Sequence, residues 1–196
     1  KGKTLGVIGG GHIGLHVIKM AKGFGMEVLV CDVRKHLFLS EVMDFRYVPL
    51  PVLLHHADIV SLHVPHTPST HHLMNRQTFR LMKRGALLIN TARGGIVETD
   101  ALVWALDEGI VGGAGLDVLE GEELVKEERQ LLSQDFPKEK LVTALKNHIL
   151  LHRENVVITP HIAFDSREAL QRILETTVTN IAAFLNGAPV NLVTHG

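Results

Sequence analysis

The segment GVIGGGHIG, residues 6–14, constrains the fold more than any other part of this chain. It continues an apolar, strand-like run at 4–9 and opens a helical pattern at 12–23. Its regularly spaced glycines are Gly9, Gly11 and Gly14. In that spacing the first glycine permits a tight turn, the second lets a ligand approach the backbone, and the third lets the helix pack closely on the strand. The segment therefore predicts a strand–turn–helix unit of the kind that begins a parallel α/β sheet.

Apolar runs and helical patterns alternate along most of the chain in the same way. The predicted strands are 4–9, 27–31, 45–48, 58–63, 86–90, 113–118 and 155–159. The predicted helices between them are 12–23, 52–56, 76–82 and 99–108. The strands are rich in Val, Ile and Leu without alternation, as expected where both faces of a parallel sheet are covered. The predicted fold class is therefore α/β, a Rossmann-like doubly wound parallel sheet with helices on both faces and a strand order near 3-2-1-4-5-6-7.

Two segments near the end of the chain differ from this pattern. The strongly charged stretch 120–153 predicts a partly helical surface excursion, with helical pieces at 122–133 and 138–146. After the last strand, Asp165 and Glu168 have the spacing of a capping box, which predicts the start of a final amphipathic helix. Gly187 and Pro189 predict its end.

Composition and charge narrow the possible functions. The net charge of −1, with 21% charged residues, includes no basic excess, so neither nucleic acid nor a membrane surface is an expected partner. Cys31 is the only cysteine, which fits a reducing, cytoplasmic location without disulfides. The sequence has neither a secretory signal nor an apolar run of the roughly 20 residues that span a bilayer. It opens at Lys1 without an initiator Met and reaches a buried strand by Leu5, as expected of a domain cut from a longer protein.

Asp32 gives the glycine segment a specific interpretation. It ends the second predicted strand, close to the position about 20 residues after the glycines where a dinucleotide-binding domain carries a carboxylate for the ribose hydroxyls. A pyrophosphate would then lie at the helix N-terminus, where free N–H groups favour an anion. The alternative is a purely structural turn. Asp32 predicts NAD in preference to NADP because it would repel a 2′-phosphate, although Arg34 and Lys35 weaken that preference.

Three polar residues follow strand-like runs that are far apart in sequence: Arg93, Glu122 and His161. The carboxyl ends of parallel strands line one crevice, so a cation, a carboxylate and an imidazole could meet there as an acid–base catalytic set. Taken singly, Arg93 could be a surface residue beside a flexible turn and Glu122 one of several solvated carboxylates. Asp117, at the end of a buried strand, requires a partner. The adjacent histidines along the chain lack the spacing of metal ligands, so no metal site is predicted.

These motifs together resemble the D-isomer-specific 2-hydroxyacid dehydrogenases, in their NAD-binding domain. The resemblance includes KTLGVIGGGHIG, the CD pair at 31–32, ADIVSLHVPHTPST, LLINTARGGIVETDAL, AGLDVLEGEE and VVITPHIAF, in family order over nearly the whole chain. Within the family, GHIG, SLHVP and PHIAF look closest to the D-lactate dehydrogenases. The resemblance implies reversible oxidation of a lactate-like D-2-hydroxy acid to a 2-oxo acid, with NAD as cofactor.

The resemblance also implies residue roles and an organisation. Arg93 would bind the substrate, His161 would act as general acid–base, and Glu122 would be its carboxylate partner. The implied cofactor contacts are Gly9, Gly11, His12, Ile13, Gly14, Asp32, Val64, Pro65, Thr70, Thr91, Ala92, Arg93 and Asp117. Residues 1–165 would form the NAD-binding domain, and 166–196 a C-terminal helix and tail leading toward a substrate lobe absent from this chain. The isolated domain would then be nearly inactive, and a homodimer is expected.

Two related proteins are alternatives on the same fold. One is an NAD-sensing, corepressor-like binding protein, which the presence of all three catalytic candidates disfavours. The other is a formate dehydrogenase-like enzyme, in which an amide stands where this sequence has Glu122. The side chain of the substrate is not specified by the sequence.

Overall fold

The computed structural model describes residues 2–121 and 138–192, without the side chains of 138–141. Its core is a seven-stranded sheet in the order β3-β2-β1-β4-β5-β6-β7, and all the strand pairs are parallel. The strands are β1 Thr4–Ile8, β2 Glu27–Cys31, β3 Arg46–Tyr47, β4 Ile59–Leu62, β5 Ala86–Asn90, β6 Val111–Leu116 and β7 Val156–Ile158. The predicted fold class and strand order are confirmed.

The described helices lie between and after these strands. They are α1 His12–Gly23, α2 Leu37–Val42, α3 Leu50–His56, α4 Arg76–Phe79, α5 Thr99–Asp107, α6 Lys138–Leu151 and α7 Arg167–Leu185, with a 3-10 turn at Gly94–Ile96. The predicted helix at 122–133 lies outside the described residues. Helix α2 was not predicted because its six residues are too few for a clear apolar period, and all of them are exposed or half-buried.

Each face of the sheet has its own hydrophobic core. On one face Ile18 of α1 packs with Val7 and Val30. On the other, a larger cluster joins the strands to α3, α4, α5 and α6, and includes Leu53, Phe79, Leu88, Leu102 and Leu150. This division explains the unbroken apolar strands, because successive side chains of one strand enter different cores.

The N-cap of the final helix lies one residue after the predicted one. Ser166, not Asp165, is the N-cap, and its hydroxyl accepts a hydrogen bond from the backbone N–H of Ala169 at 3.2 Å. The predicted Asp165–Glu168 capping box is therefore wrong, since Ser166 already satisfies a free amide of the first turn. The predicted end is close, because α7 stops at Leu185 and Gly187 has a φ of 70°.

The chain divides into two compact units, Lys1–Pro160 and His161–Gly196. The first contains the complete sheet and α1 to α6, and the second contains α7. This division, after Pro160, lies a few residues before the boundary expected after residue 165. Within the second unit the apolar side chains of α7 are exposed, including Ile173, Leu174, Val178, Ile181, Phe184 and Leu185.

Candidate functional site

The glycine turn after β1 is shaped by close contacts between backbone segments. Gly9 has a φ of +100°, and a Cβ placed on it would lie 2.6 Å from the carbonyl oxygen of His63. A Cβ on Gly14 would lie 2.0 Å from the carbonyl oxygen of Gly9. A Cβ on Gly11, the N-cap of α1, would meet nothing within 4 Å. The first and third glycines are thus required by packing, and the second leaves open the space in front of the helix N-terminus, where unpaired N–H groups favour a phosphate.

Asp32 is held beside this turn by two backbone amides. Its Oδ2 accepts a hydrogen bond from Gly10 N at 2.6 Å, and its Oδ1 accepts one from Arg34 N at 2.8 Å. A half-buried carboxylate oriented in this way can accept hydrogen bonds from the hydroxyls of a ribose whose phosphate lies at the start of α1. The residues present therefore fit a dinucleotide. At the start of α1, His12 and Ile13 are both exposed.

The segment that leaves β4 borders the glycine turn. The side chain of Val64 would be 2.9 Å from a Cβ on Gly9, so the two segments are in direct contact. Burial lowers the pKa of His63, which is therefore a neutral imidazole at neutral pH, and its Nε2 lies 2.9 Å from the Ser61 hydroxyl. Of the predicted contacts here, Val64 is half-buried and Pro65 is exposed.

Thr70 takes part in the hydrogen bonding of its own loop. Its hydroxyl donates to the Pro65 carbonyl at 2.6 Å and accepts from the backbone N–H of Thr67 at 2.8 Å. These bonds close the 65–70 segment into a compact turn. The role we infer for Thr70 is consequently to shape the loop, beside its predicted contact with the cofactor.

Arg93 projects from a turn that a buried amide supports. Asn90, only 1% exposed at the end of β5, accepts a hydrogen bond from Ala92 N at 3.1 Å and donates one to the Arg93 carbonyl at 3.0 Å. The Arg93 side chain is exposed, and its Nη1 donates to the Ala92 carbonyl at 2.6 Å. Thr91 is exposed and Ala92 half-buried. The predicted residues Thr91, Ala92 and Arg93 therefore lie together on one braced turn.

Asp117 follows β6 and is 4% exposed. Its Oδ1 accepts a hydrogen bond of 2.5 Å from the hydroxyl of Thr159, which follows β7. The partner that a buried aspartate needs is therefore supplied from the neighbouring strand. This bond ties the ends of β6 and β7 together at the edge of the sheet that carries the other candidates.

The strand order brings these predicted residues to one edge. The turns after β1, β4, β5 and β6 all leave the carboxyl ends of parallel strands, where α/β sheets bind their ligands. Only β4 separates β1 from β5, so the glycine turn and the Arg93 turn are about 10 Å apart, two inter-strand spacings. A dinucleotide and an anion held by Arg93 could therefore be neighbours.

Of the three catalytic candidates, Arg93 alone lies among the described residues of the first unit. Glu122 lies outside the described residues. His161 is half-buried, begins the second unit, has a φ of 57°, and packs edge-on against Phe164 with ring centroids 6.2 Å apart. The positive φ is uncommon for a residue with a side chain, and strained conformations of this kind cluster at functional sites.

The structure adds residues that sequence reasoning did not identify. Asn90 bonds to the backbone carbonyl of Arg93 and supports its turn. His72 and Thr99 both bond to the carboxylate of Glu120. Only Asn90, a polar residue ending an apolar strand, had a recognisable signal in the sequence. Over 2–121 and 138–192, no group of three possible metal ligands is found, and no described helix is long and apolar enough to cross a membrane.

Comparison with known families matches residues 1–163 to the D-isomer specific 2-hydroxyacid dehydrogenase, NAD binding domain. The chain belongs to this family. Glyoxylate reductase from Korarchaeum cryptofilum is 43% identical over 194 residues, covering 98% of this chain and 52% of that protein. Glycerate dehydrogenase from Methylorubrum extorquens is 38% identical over 192 residues, covering 98% and 53%.

A solved structure extends this similarity to the fold. The D-lactate dehydrogenase from Aquifex aeolicus, complexed with NAD and lactic acid, is 44% identical with a TM-score of 0.85, over 95% of this chain and 54% of that one. The chain is therefore an NAD-binding domain of the family, and its resemblance to that family is confirmed. It spans about half the length of the relatives it matches.

Proposed function

We propose that the protein containing this chain is an NAD-dependent dehydrogenase that interconverts a small, lactate-like D-2-hydroxy acid and its 2-oxo acid. The observation that carries the proposal is the exposed Arg93 on a braced turn at the carboxyl edge of the sheet, two strands from the dinucleotide turn. NAD, when bound, supplies the hydride chemistry. The remaining roles belong to residues of the chain.

Arg93 binds the 2-oxo acid in this proposal. A guanidinium has five N–H donors in a fixed fork, which suits bidentate binding of a carboxylate and its neighbouring carbonyl oxygen. The same donors stabilise the negative charge that develops on that oxygen during reduction. Asn90 contributes by holding the turn, because an arginine on a loose loop would also lose backbone entropy when it bound the substrate.

His161 transfers the hydroxyl proton and Glu122 orients and supports its charged form. During reduction the imidazolium gives a proton to the developing alkoxide, and during oxidation the neutral ring removes one. Reduction should therefore slow as pH rises and oxidation should accelerate. Replacing Glu122 with Gln removes the charge but keeps a hydrogen-bonding group, so the rate of reduction should fall in steady-state assays while NADH still binds.

The named relatives support a short substrate. Glyoxylate, glycerate and lactate are short acids that share a carboxylate beside the reacting carbon, and the relatives named for them share this domain. We propose the lactate-like member of this set. The direct test is NADH oxidation by the full-length protein with pyruvate, hydroxypyruvate, glyoxylate and branched 2-oxo acids. Pyruvate should give the largest kcat/KM, and a clear preference for another acid would contradict the lactate-like assignment.

Turnover would also exclude an NAD-sensing binding protein on the same fold. Arg93→Lys tests the role of the guanidinium, because it keeps the charge but not the forked pair of donors. It should lower kcat/KM for the acid without changing NADH affinity. Residues 1–196 alone should bind NADH and turn over 2-oxo acids negligibly, since lobe closure normally completes such a site. We also propose a homodimer, which light scattering would test.

A further inference from the structure

The turn that carries Arg93 is enclosed between two segments from elsewhere in the chain. A Cβ on Gly94 would lie 2.0 Å from the Leu119 carbonyl oxygen and 2.5 Å from Glu120 N. A Cβ on Gly95 would lie 2.7 Å from the Nε2 of His66. The 119–120 peptide and the loop after β4 therefore both touch the turn directly. A movement of either segment toward the turn would therefore press on the backbone next to Arg93.

These two enclosing segments are joined to each other by Glu120 and His72. Oε1 of Glu120 lies 2.5 Å from Nε2 of His72, with both side chains largely shielded from solvent, at 23% and 33% exposed. The backbone N–H of His72 also donates to the Gly95 carbonyl at 2.9 Å. The pair thus connects the two neighbours of the Arg93 turn and is itself bonded to that turn.

Glu120 is fixed on its other side as well. Its Oε2 accepts from the backbone N–H of Thr99 at 3.0 Å and from the Thr99 hydroxyl at 2.8 Å, at the first residue of α5. Its carbonyl accepts from Asn147 of α6 at 2.9 Å. Burial raises the pKa of Glu120, but the hydrogen bonds from His72 and Thr99 outweigh it and the net pKa is lowered. Glu120 is therefore a carboxylate at neutral pH, so the Nε2–H of His72 is the donor.

The backbone of His72 has an uncommon conformation. Its φ is 49°, in the left-handed region that residues other than glycine adopt only at a cost in free energy. The carbonyl of His72 accepts from the Asn75 side chain at 2.9 Å, so the conformation is held by bonds from three directions, together with those to Glu120 and Gly95. Such a conformation persists only where the surrounding structure determines it.

We infer that Glu120, acting through His72 and Thr99, is a positioning residue that sets where the Arg93 guanidinium reaches. The inference rests on the proposed role of Arg93 in binding the 2-oxo acid. In this role Glu120 acts on the acid only through the Arg93 turn, so its effect should appear in the use of the acid and not in NADH affinity. A misplacement of about 1 Å at a substrate-binding group can reduce the rate by about 10²-fold.

The test uses three variants of the full-length protein. Glu120→Gln keeps an oxygen for Thr99 but loses the charge. His72→Asn keeps a residue that tolerates positive φ but shortens the side chain, so it separates loss of the contact from backbone strain. Asp107→Asn is the matched control, because it breaks the Asp107–Arg153 ion pair at the opposite end of α5.

We expect the first two variants to lower kcat/KM for the 2-oxo acid by about 10²-fold, mostly through a raised KM, with NADH affinity unchanged. Asp107→Asn should match the unmodified protein. Because Glu120 and His72 act as one unit, the double variant should be no worse than the poorer single variant. Unchanged kinetics, or an equal loss of NADH affinity and acid turnover, would overturn the inference.

Amide hydrogen exchange over residues 90–98 tests the same contacts without activity. Exchange should be faster in Glu120→Gln and His72→Asn and unchanged in Asp107→Asn. If exchange is unchanged in all three, Glu120 does not position the turn, whatever reaction the protein performs. If Arg93→Lys leaves acid turnover intact, the proposed function of Arg93 fails, and the exchange data still decide whether Glu120 holds its turn.

Discussion

The glycine turn after β1 and the Arg93 turn after β5 lie on the same edge of the sheet but are held in different ways. The first is shaped by backbone against backbone, with Gly9 and Gly14 at distances that leave no room for a Cβ. The second also has a close backbone contact, between Gly94 and the Leu119 carbonyl, but side-chain hydrogen bonds hold it as well, with Asn90 beneath it and the Glu120–His72 pair across it. The cofactor side of the site is therefore shaped mainly by glycines that leave no room for a side chain, and the substrate side depends more on side-chain hydrogen bonds.

This difference leads to separable effects of mutation. Changes in the glycine turn or at Asp32 should alter stability and cofactor affinity. Changes around Arg93 and His161 should alter turnover while NADH still binds. A variant that lowered turnover and NADH affinity together would show that the cofactor and substrate sides of the site are more tightly coupled than their contacts indicate.

The largest effect is expected for His161→Ala in the full-length protein. The rate should fall roughly 10²–10⁴-fold, the usual contribution of general acid–base catalysis, with NADH affinity nearly intact. Steady-state kinetics and NADH titration measure the two quantities. A decrease of less than tenfold would assign the proton transfer to another group.

Gly14→Ala should have the next largest effect and the opposite signature. Its Cβ would meet the Gly9 carbonyl at 2.0 Å, and backbone cannot move aside cheaply, so unfolding free energy should drop by about 3 kcal/mol and NADH binding should be lost. Gly23→Ala, at the other end of α1, is the control because a Cβ there meets nothing within 4 Å. It should be neutral or stabilising by up to about 1 kcal/mol in denaturant unfolding.

Asp32→Ala should reduce NAD affinity about tenfold or more, the size of a hydrogen bond to a charged group. It should also narrow the preference for NAD over NADP, because the carboxylate that repels a 2′-phosphate is gone. Calorimetric titration with both cofactors measures the change. Equal or tighter NADP binding by the unmodified protein would refute the role of Asp32 in selection.

The smallest expected effect concerns acid stability at the opposite edge of the sheet. Hydrogen bonds from Lys83 and from the backbone of Thr4 lower the pKa of Asp58 to about 2. Its carboxylate therefore stabilises the fold above the ordinary pKa of an aspartate, and this contribution is lost as pH falls toward 2. Asp58→Asn should flatten the loss of stability in that range more than Asp44→Asn, because the hydrogen bond from Lys22 that lowers the pKa of Asp44 is exposed to solvent. Thermal unfolding across pH 2–5 compares them. Identical acid profiles for the two variants would remove Asp58 from this role.

Much of the molecule follows from patterns that are local in sequence. The apolar strands, the glycine spacing and Asp32 predict a doubly wound sheet and its cofactor edge, because backbone geometry and burial act over a few neighbouring residues. Short elements are harder to predict. Helix α2 has six residues and no buried side chain, and Asp165 and Ser166 compete for one N-cap, so the choice depends on backbone angles that the sequence does not contain.

The sequence by itself determined the family and the fold, and it supplied the residues to which the chemistry is proposed, because these are set by residue type and by spacing along the chain. Tertiary structure decided which side chains hold those residues in place. In the sequence Glu120 is one carboxylate among several, and it is distinguished only when folding brings it to His72 and Thr99. These contacts have no local pattern, because His72 lies 48 positions and Thr99 lies 21 positions from Glu120 along the chain. Their energy appears only after the strands between them have paired.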